Sequence, residues 1–262
     1  SLLALLSKGG RLRVVLIAAD DVTGAHPIIT ELPQPKGAVT ALALDALLEN
    51  LYVGTAEGQV VHVALSETES PEMRAAYTVA ASSTAVTTLG FLSGDRSLVV
   101  MSEDGAVSTW GLVRRADAPS GWKLTQIHTL RPHNAPVTAF APSQRVKGFV
   151  TGDMKGNLFL HHATSSQTLL RLANSEFPIR AVAFAPKGDG LIALDGAGQL
   201  SLYQVQNAYP EVTLETLFGK VWYEGYDQPA HVWQSSSGSD DVEPKLGLLP
   251  LAFGTLKGTM YA

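Results

Sequence analysis

Val39-Thr40-Ala41-Leu42 returns as Val86-Thr87-Thr88-Leu89, as Val137-Thr138-Ala139-Phe140 and as Ala181-Val182-Ala183-Phe184. A second apolar run follows each: Leu51-Tyr52-Val53, Leu98-Val99-Val100, Gly148-Phe149-Val150 and Leu191-Ile192-Ala193. Then comes a turn ending in Gly and a third run, as in Gly58-Gln59-Val60-Val61, Gly105-Ala106-Val107, Gly156-Asn157-Leu158 and Gly198-Gln199-Leu200. The turn glycines at 58, 105, 156 and 198 are 47, 51 and 42 residues apart. A period of about 40–50 residues with several short strands per unit specifies a β-propeller, all-β, with blades of four antiparallel strands. One such unit cannot bury both of its faces, so units stack around an axis.

The turn glycines have a mechanical reason. A tight hairpin needs a residue at positive φ, and Asp104-Gly105 is a favoured pair for it. Val, Ile, Leu, Phe and Tyr fill the flanking strands, as a packed sheet requires. A fifth, partial copy opens the chain. Gly10-Arg11-Leu12-Arg13-Val14-Val15-Leu16 matches the second strand of the unit, and Leu2 to Leu6 the strand before it. The first strand of that blade is missing, which reads as a fragment of a longer protein. The expected organisation is a propeller over residues 1–215, a partial first blade plus four full blades. Residues 216–262 follow as an aromatic-rich linker leading to a transmembrane segment of the parent protein.

The 262 residues are 45% hydrophobic and only 16% charged, which suits a well-buried β protein rather than a disordered one. Net charge is −5 with no long basic run, which argues against nucleic acid as a partner. The absence of cysteine excludes disulfides, Cys-zinc sites and thiol catalysis. No run of about 18 apolar residues, and no signal peptide, is present.

The units resemble WD40-type repeats. His133-Asn134-Ala135-Pro136-Val137 looks like that family's His-x-x-Pro-Val opening, the fourth copy carries Phe184-Ala185-Pro186-Lys187-Gly188-Asp189-Gly190, and Ser102-Glu103-Asp104-Gly105 and Trp110 in the second resemble the family's strand ending. The Trp-Asp dipeptide occurs in no copy. The resemblance covers roughly residues 2 to 205 and is to propellers in general.

After about Gln206 the rhythm changes. Tyr209 to Leu214 reads as a possible outer strand of the last blade. Leu214, Leu217, Phe218, Val221 and Trp222 then fall at helical spacing. An aromatic cluster follows: Trp222, Tyr223, Tyr226 and Trp233. Gln234 to Asp241 reads as a polar linker. The aromatic cluster has two balanced readings, a membrane–water interface belt or a cap of apolar core.

The close of the chain resembles the run that leads into a membrane helix of the phosphate ABC transporter permease family. The match is Leu249-Pro250-Leu251-Ala252-Phe253-Gly254-Thr255-Leu256, with Leu249, Pro250, Gly254, Thr255 and Leu256 as its motif residues. Trp222-Tyr223-Glu224-Gly225-Tyr226 and Trp233-Gln234-Ser235 look like the segment preceding that core in larger members. The resemblance covers about the last 45 residues. It implies a domain inserted between the first two membrane helices, facing the periplasm at a bacterial inner membrane. The implied partners are the transporter's second permease and ATPase and, through the propeller, the periplasmic phosphate-binding protein.

Other candidates fall to plainer readings. His161-His162 cannot chelate one ion side by side, because adjacent strand residues point to opposite faces. Asp153, Asp189 and Asp195 beside Gly read as turn chemistry. Gly196-Ala197-Gly198 lacks the Lys-Ser/Thr and the helix of a phosphate loop. No Gly-x-Ser-x-Gly elbow occurs, and the arginines are scattered. No catalytic, cofactor-binding or metal residues are therefore assigned. The leading reading is a non-enzymatic periplasmic propeller of a phosphate permease, a binding or regulatory module. The rivals are a free-standing WD40-like interaction scaffold and a propeller enzyme with acidic or His side chains converging on the channel.

Overall fold

A computed structural model of the chain describes residues 2–6, 12–16, 28–31, 35–65, 73–118, 121–206, 209–234 and 243–261. Five sheets follow one another along the sequence. The first holds β1 (Leu2–Leu6), β2 (Leu12–Leu16) and β3 (Ile28–Glu31). The second holds β4 (Val39–Leu44), β5 (Asn50–Thr55), β6 (Gln59–Leu65) and β7 (Met73–Ala80). The third holds β8 (Val86–Phe91), β9 (Ser97–Ser102), β10 (Val107–Arg114) and β11 (Trp122–Thr129). The fourth holds β12 (Val137–Pro142), β13 (Gly148–Asp153), β14 (Asn157–His162) and β15 (Gln167–Ala173). The last holds β16 (Ile179–Phe184), β17 (Gly190–Asp195) and β18 (Leu200–Gln204). Within each, strands pair with their sequence neighbours in chain order. Every such pairing is antiparallel.

The repeated Val-Thr has a structural reason. In each of the four complete first strands the register against the second strand skips one residue at the same place, at Thr40, Thr87, Thr138 and Arg180. Such a bulge re-aims a side chain. Thr40 Oγ1 donates to the Val86 carbonyl at 2.5 Å, and Thr138 Oγ1 to the Ile179 carbonyl at 2.6 Å. Thr40 and Thr138 therefore tie the first strand of one blade to the first strand of the next, whereas Thr87 Oγ1 donates to the Met101 carbonyl of its own sheet at 3.3 Å.

Core residues lie between sheets. Tyr52 and Val60 of the second sheet pack with Val86, Leu89, Leu98 and Val100 of the third. Val99, Met101 and Val107 pack with Val137 and Phe149 of the fourth, and Val150 and Leu158 with Ile179, Leu191 and Ala193 of the last. The second strands are apolar at consecutive positions because both of their faces are covered. Burying each large apolar side chain here contributes about 1.5–3 kcal/mol. Gly105 sits at φ 84°, and a Cβ there would stand 2.5 Å from the His133 carbonyl of the following inter-blade loop. That approach, as well as the turn, demands glycine.

Two expectations are corrected. Three sheets have four strands, and the last has three. Residues 209–213 do not form its outer strand. Pro210 has no N–H to give a ladder, and its carbonyl accepts from Ser165 Oγ at 2.9 Å, which draws the chain towards the preceding blade. Helix α1 (Leu214–Phe218) then begins with Thr213 as N-cap, in a reciprocal pair with Thr216. The helical spacing that runs to Trp222 is cut short at Gly219, the C-cap, so the expected boundary at residue 215 falls inside α1. Beyond it come a bridge between Val221 and Ala230, the pair β19 (Trp233–Gln234) and β20 (Lys245–Leu246), and helix α2 (Leu249–Tyr261). Most of the expected polar linker, residues 235–241, lies outside the described residues, as does Gly10. Helix α2 has no buried residue. Among the described residues, no helix is long and apolar enough to cross a membrane.

Candidate functional site

One face of the stacked blades carries the turns between first and second strands, such as Asp45–Glu49, Leu92–Arg96 and Ser143–Lys147. The segment after α1 crosses this face as a strap. A cleft of about 1030 Å³ lies between strap and blades. Its blade wall holds Asp45, Asn50, Tyr52 and His62 from the second sheet and Asp95, Arg96, Ser97 and Trp122 from the third. Trp222, Tyr223, Glu224, Tyr226 and Glu243 form the strap wall, with His128, Lys147 and Thr164 at its base.

A buried polar network clamps the strap down. Lys147 Nζ pairs with Glu224 Oε2 at 2.7 Å and also donates to the Ser93 carbonyl. Ser97 Oγ donates to Glu224 Oε1 at 2.5 Å. The Glu224 backbone N–H donates to Glu243 Oε1 at 2.8 Å, and Thr164 Oγ1 donates to Glu243 Oε2. Burial pushes the Glu243 carboxyl above the usual carboxylate range, against the pull of the Thr164 hydroxyl. At the strap's outer side Asp227 accepts the Arg114 N–H at 2.8 Å, and His128 Nε2 donates to the Trp222 carbonyl at 3.2 Å. Burial lowers His128 to about 4, so it is neutral.

The blade wall is aromatic. Tyr52 stacks on His62 at 5.0 Å between centroids, and His62 meets Tyr77 edge-on at 5.0 Å. Asn50 Nδ2 donates to Asp45 Oδ2 at 2.8 Å, which leaves its oxygen to accept from His62 Nε2 at 2.8 Å. His62 is thus the Nε2–H tautomer, lowered to about 4 by burial. Arg114 lies over Trp122 at 5.2 Å. The acidic side chains Asp45, Glu49, Asp95, Glu224 and Glu243 outnumber the basic Arg96 and Lys147. With Lys147 and Glu224 paired to each other and the Glu243 carboxyl raised by burial, Asp45, Glu49 and Asp95 stand against Arg96.

The cluster read from the sequence divides here. Trp222, Tyr223 and Tyr226 share the cleft. Tyr223 is buried, and Trp222 Nε1 donates to the Tyr226 carbonyl at 2.8 Å. Tyr223 and Tyr226 meet edge-on at 6.0 Å with Lys245 Nζ over both rings. Trp233 stands apart on β19 and is half-exposed. Leu249, Pro250, Gly254, Thr255 and Leu256 all lie on α2, away from the cleft. The sequence carried no signal for Lys147, Glu243 or His128, and Glu224 entered only within the run Trp222-Tyr223-Glu224-Gly225-Tyr226. Their partners are 19 to 127 positions distant, and only the strap lying across the stacked blades brings them together.

His133, His161, His162, Asp153 and Asp195, all outside the cleft, are occupied structurally. His133 Nδ1 bonds Asp153 at 2.9 Å and its Nε2 bonds Thr151 at 2.7 Å, with Phe159 stacked on the ring. His161 bonds Thr151 and Thr168, each at 3.0 Å, while His162 turns to the other face and bonds Ser165 at 3.0 Å. Asp153 and Asp195 accept the N–H groups of their own turns, and Ser175 Oγ, first among its partners, holds Asp195 below the usual range. Among the described residues, no group of three His, Asp or Glu side chains is placed to hold a metal ion.

No protein-family profile and no curated protein matches the chain. Solved structures do match. The computationally designed protein Ika8 superposes with a TM-score of 0.60 at 19% identity, over 78% of this chain and 55% of its own. The β-propeller domain of Cps50 (Swd1) from Myceliophthora thermophila gives 0.62 at 17% identity, over 78% and 67%. Sqt1 from Chaetomium thermophilum, in a structure bound to the N-terminus of ribosomal protein L10, gives 0.63 at 17%, over 84% and 57%. The chain spans about half to two-thirds of the length of these proteins. At such identities the likeness establishes the fold: the sheets are blades of a WD40-like β-propeller.

Proposed function

We propose that this chain is a non-enzymatic interaction module, a WD40-like propeller whose partner polypeptide enters the cleft between the blades and the strap. The observation that carries the reading is the cleft itself, walled by Tyr52, Trp122, Trp222 and Tyr226 with an excess of carboxylates. Aromatic anchors surrounded by fixed charge are the composition that polypeptide recognition uses. The neighbour Sqt1 holds the N-terminus of another protein, and binding of protein segments is a use this fold supports. His133, His161 and His162 are buried and committed to Thr, Ser or Asp partners.

A photo-crosslinking residue at Trp122, compared with one at the exposed Leu170 on β15, tests this in cells. A polypeptide adduct at 122 and none at 170 is expected. Equal capture at both positions, or none at 122, overturns the reading.

A second reading is favoured by α2. It presents Leu249, Leu251, Phe253, Leu256 and Met260 to solvent, each at least 41% exposed. An apolar helix with no partner suits the threshold of a membrane core. On this reading the propeller is an extracytoplasmic domain of a phosphate ABC transporter permease at a bacterial inner membrane. Its cleft then faces the phosphate-binding protein, and the parent chain meets the second permease and the ATPase. Membrane fractionation of the parent protein and radiolabelled phosphate uptake in a deletion strain check it. A soluble parent protein with unchanged uptake rules it out.

A further inference from the structure

We propose that the acidic end of the cleft is a subsite for a primary ammonium group of the partner polypeptide, received beside Asp45, Asp95 and the Nδ1 atom of His62. The proposal rests on the reading of the cleft as a polypeptide site. The repeat supplies an internal comparison, because the same positions recur in successive blades. In the turn between first and second strands the Asp45 N–H donates to the Asn50 carbonyl, as Leu92 does to Ser97, Ser143 to Gly148 and Ala185 to Gly190. Tyr52 pairs with His62 across the second and third strands, as Val99 does with Thr109, Val150 with Leu160 and Ile192 with Leu202. The second sheet thus carries Asp, Asn, Tyr and His where the third has Leu, Ser, Val and Thr. The fourth has Ser, Gly, Val and Leu at these places, and the last Ala, Gly, Ile and Leu. The packing of a blade does not call for the charged, hydrogen-bonded set of the second sheet.

Three of these side chains form a relay that ends on an unpartnered atom. Asp45 Oδ2 accepts from Asn50 Nδ2 at 2.8 Å, and Asn50 Oδ1 accepts from His62 Nε2 at 2.8 Å. Tyr52 stacks on the His62 ring. With its proton on Nε2, the ring presents Nδ1 as an acceptor. His62 lines the cleft and is 1% exposed, and Nδ1 has no hydrogen-bond partner among the described residues. A buried acceptor without a donor is costly, so this atom calls for one. Polarisation along the relay from the Asp45 carboxylate strengthens Nδ1 as an acceptor.

Charge decides what kind of donor fits. Asp95 Oδ2 accepts the Ala46 N–H at 3.1 Å, which brings a carboxylate of the neighbouring blade to the Asp45 turn. Asp45, Glu49 and Asp95 stand at this end of the cleft against Arg96, so a cation is favoured over a neutral donor. The engaged oxygens favour an ammonium over a guanidinium. A guanidinium fork takes both oxygens of one carboxylate. Asp45 Oδ1 already accepts the Glu49 and Asn50 N–H groups at 2.8 and 3.0 Å, Asn50 holds its Oδ2, and Ala46 holds Asp95 Oδ2. An ammonium is a point charge with three donors, which it can divide between Nδ1 and single carboxylate oxygens. A lysine side chain and a chain-terminal amine both carry that group.

Nitrogen NMR of the histidine rings of the full chain at neutral pH reads the site directly. His62→Leu identifies the His62 signal, with the residue that Leu160 already places there in the fourth sheet. The probes are Nα-acetyl-lysine methylamide for the side chain and alaninamide for a chain-terminal amine, with Nα-acetyl-norleucine methylamide as the uncharged control. A saturable movement of the Nδ1 signal towards the hydrogen-bonded position is expected with an amine probe and not with the control. A response to the lysine probe alone assigns a side chain, and a response to alaninamide alone assigns a terminus. Asp95→Asn should weaken the affinity by about two- to fivefold. A signal that stays fixed, that moves equally with norleucine, or that responds more strongly to Nα-acetyl-arginine methylamide overturns the subsite. Crosslinking at position 122 separates the two readings. An adduct there with a fixed His62 signal overturns the subsite and leaves the polypeptide reading standing. A moving signal without an adduct keeps the amine subsite and overturns the polypeptide reading.

Discussion

Replacing Lys147 by Met tests whether the strap is held by the charge network or by its aromatic residues. Lys147 is 4% and Glu224 12% exposed at the side chain, with 2.7 Å between the charged atoms. At an effective dielectric of about 20 the gross attraction across that distance is roughly 6 kcal/mol, most of it offset by the desolvation of both ions. Removing the lysine leaves that desolvation in place without its compensation. The carboxylate still accepts from Ser97, and its small exposure admits some water. The cost therefore falls at the lower end of the 3–5 kcal/mol typical of a severed buried pair, about 3 kcal/mol. Glu224→Gln alone strands the ammonium against the Ser93 carbonyl and costs a similar amount. The double variant removes both charges. It should unfold no more than about 2 kcal/mol below the parent, so the cycle returns a coupling well above the few tenths seen for independent sites. Urea unfolding midpoints at constant slope measure all four corners. If the single costs simply add, the two side chains do not sense each other and the clamp as described is wrong.

Stability should also fall as pH drops below 6.5. Burial lowers His62, His128 and His162 to about 4 and His161 to about 3. Their stabilising effect is complete above the unfolded value near 6.5 and is lost towards the folded values, because only the unfolded chain takes up protons in that window. Each contributes about 1.4 kcal/mol per pH unit there. Glu243 has the opposite sign, its folded value being raised, but is one group against four. Urea midpoints that stay flat between pH 6.5 and 4.5 would contradict the burial of these rings. Gly105→Ala should cost at least twice Gly121→Ala, which should lose about 1 kcal/mol. Both sit at positive φ, but only the first drives a Cβ into a neighbouring carbonyl. Equal melting temperatures would refute that contact. Deleting residues 249–262 should leave the propeller's melting temperature within a degree or two, since α2 buries nothing. A large drop would mean that α2 is packed after all.

The repeat was legible because its information is local. Alternating apolar runs, a turn glycine and a period near that of one blade can each be read within about fifty residues, and each recurs. The role of Thr40 and Thr138 was not legible, although the Val-Thr pair was seen. Nothing in a strand pattern announces that the register will skip there and send the hydroxyl to the next blade. The cleft was legible only in part. Trp222, Tyr223 and Tyr226 stood out by composition, but their partners did not, since Ser97 and Glu224 are 127 positions apart. The outer strand suggested for residues 209–214 failed for a local reason, the proline at 210 and the capping threonine at 213, and both were present in the sequence.

A stacked repeat says what covers each blade except the last. Arg180 occupies the bulge position held by Thr40, Thr87 and Thr138. Leu200 and Leu202 keep the apolar identity of positions whose counterparts are buried, so the strand retains the sequence of a covered surface. The strap is the contrasting case. It closes over the turn face with Lys147, Glu224 and Glu243, which are polar and satisfied, and leaves an aromatic cleft open beside them. The strap face is thus closed within the chain by satisfied polar groups, whereas the last blade keeps apolar residues exposed at positions where the other blades bury theirs.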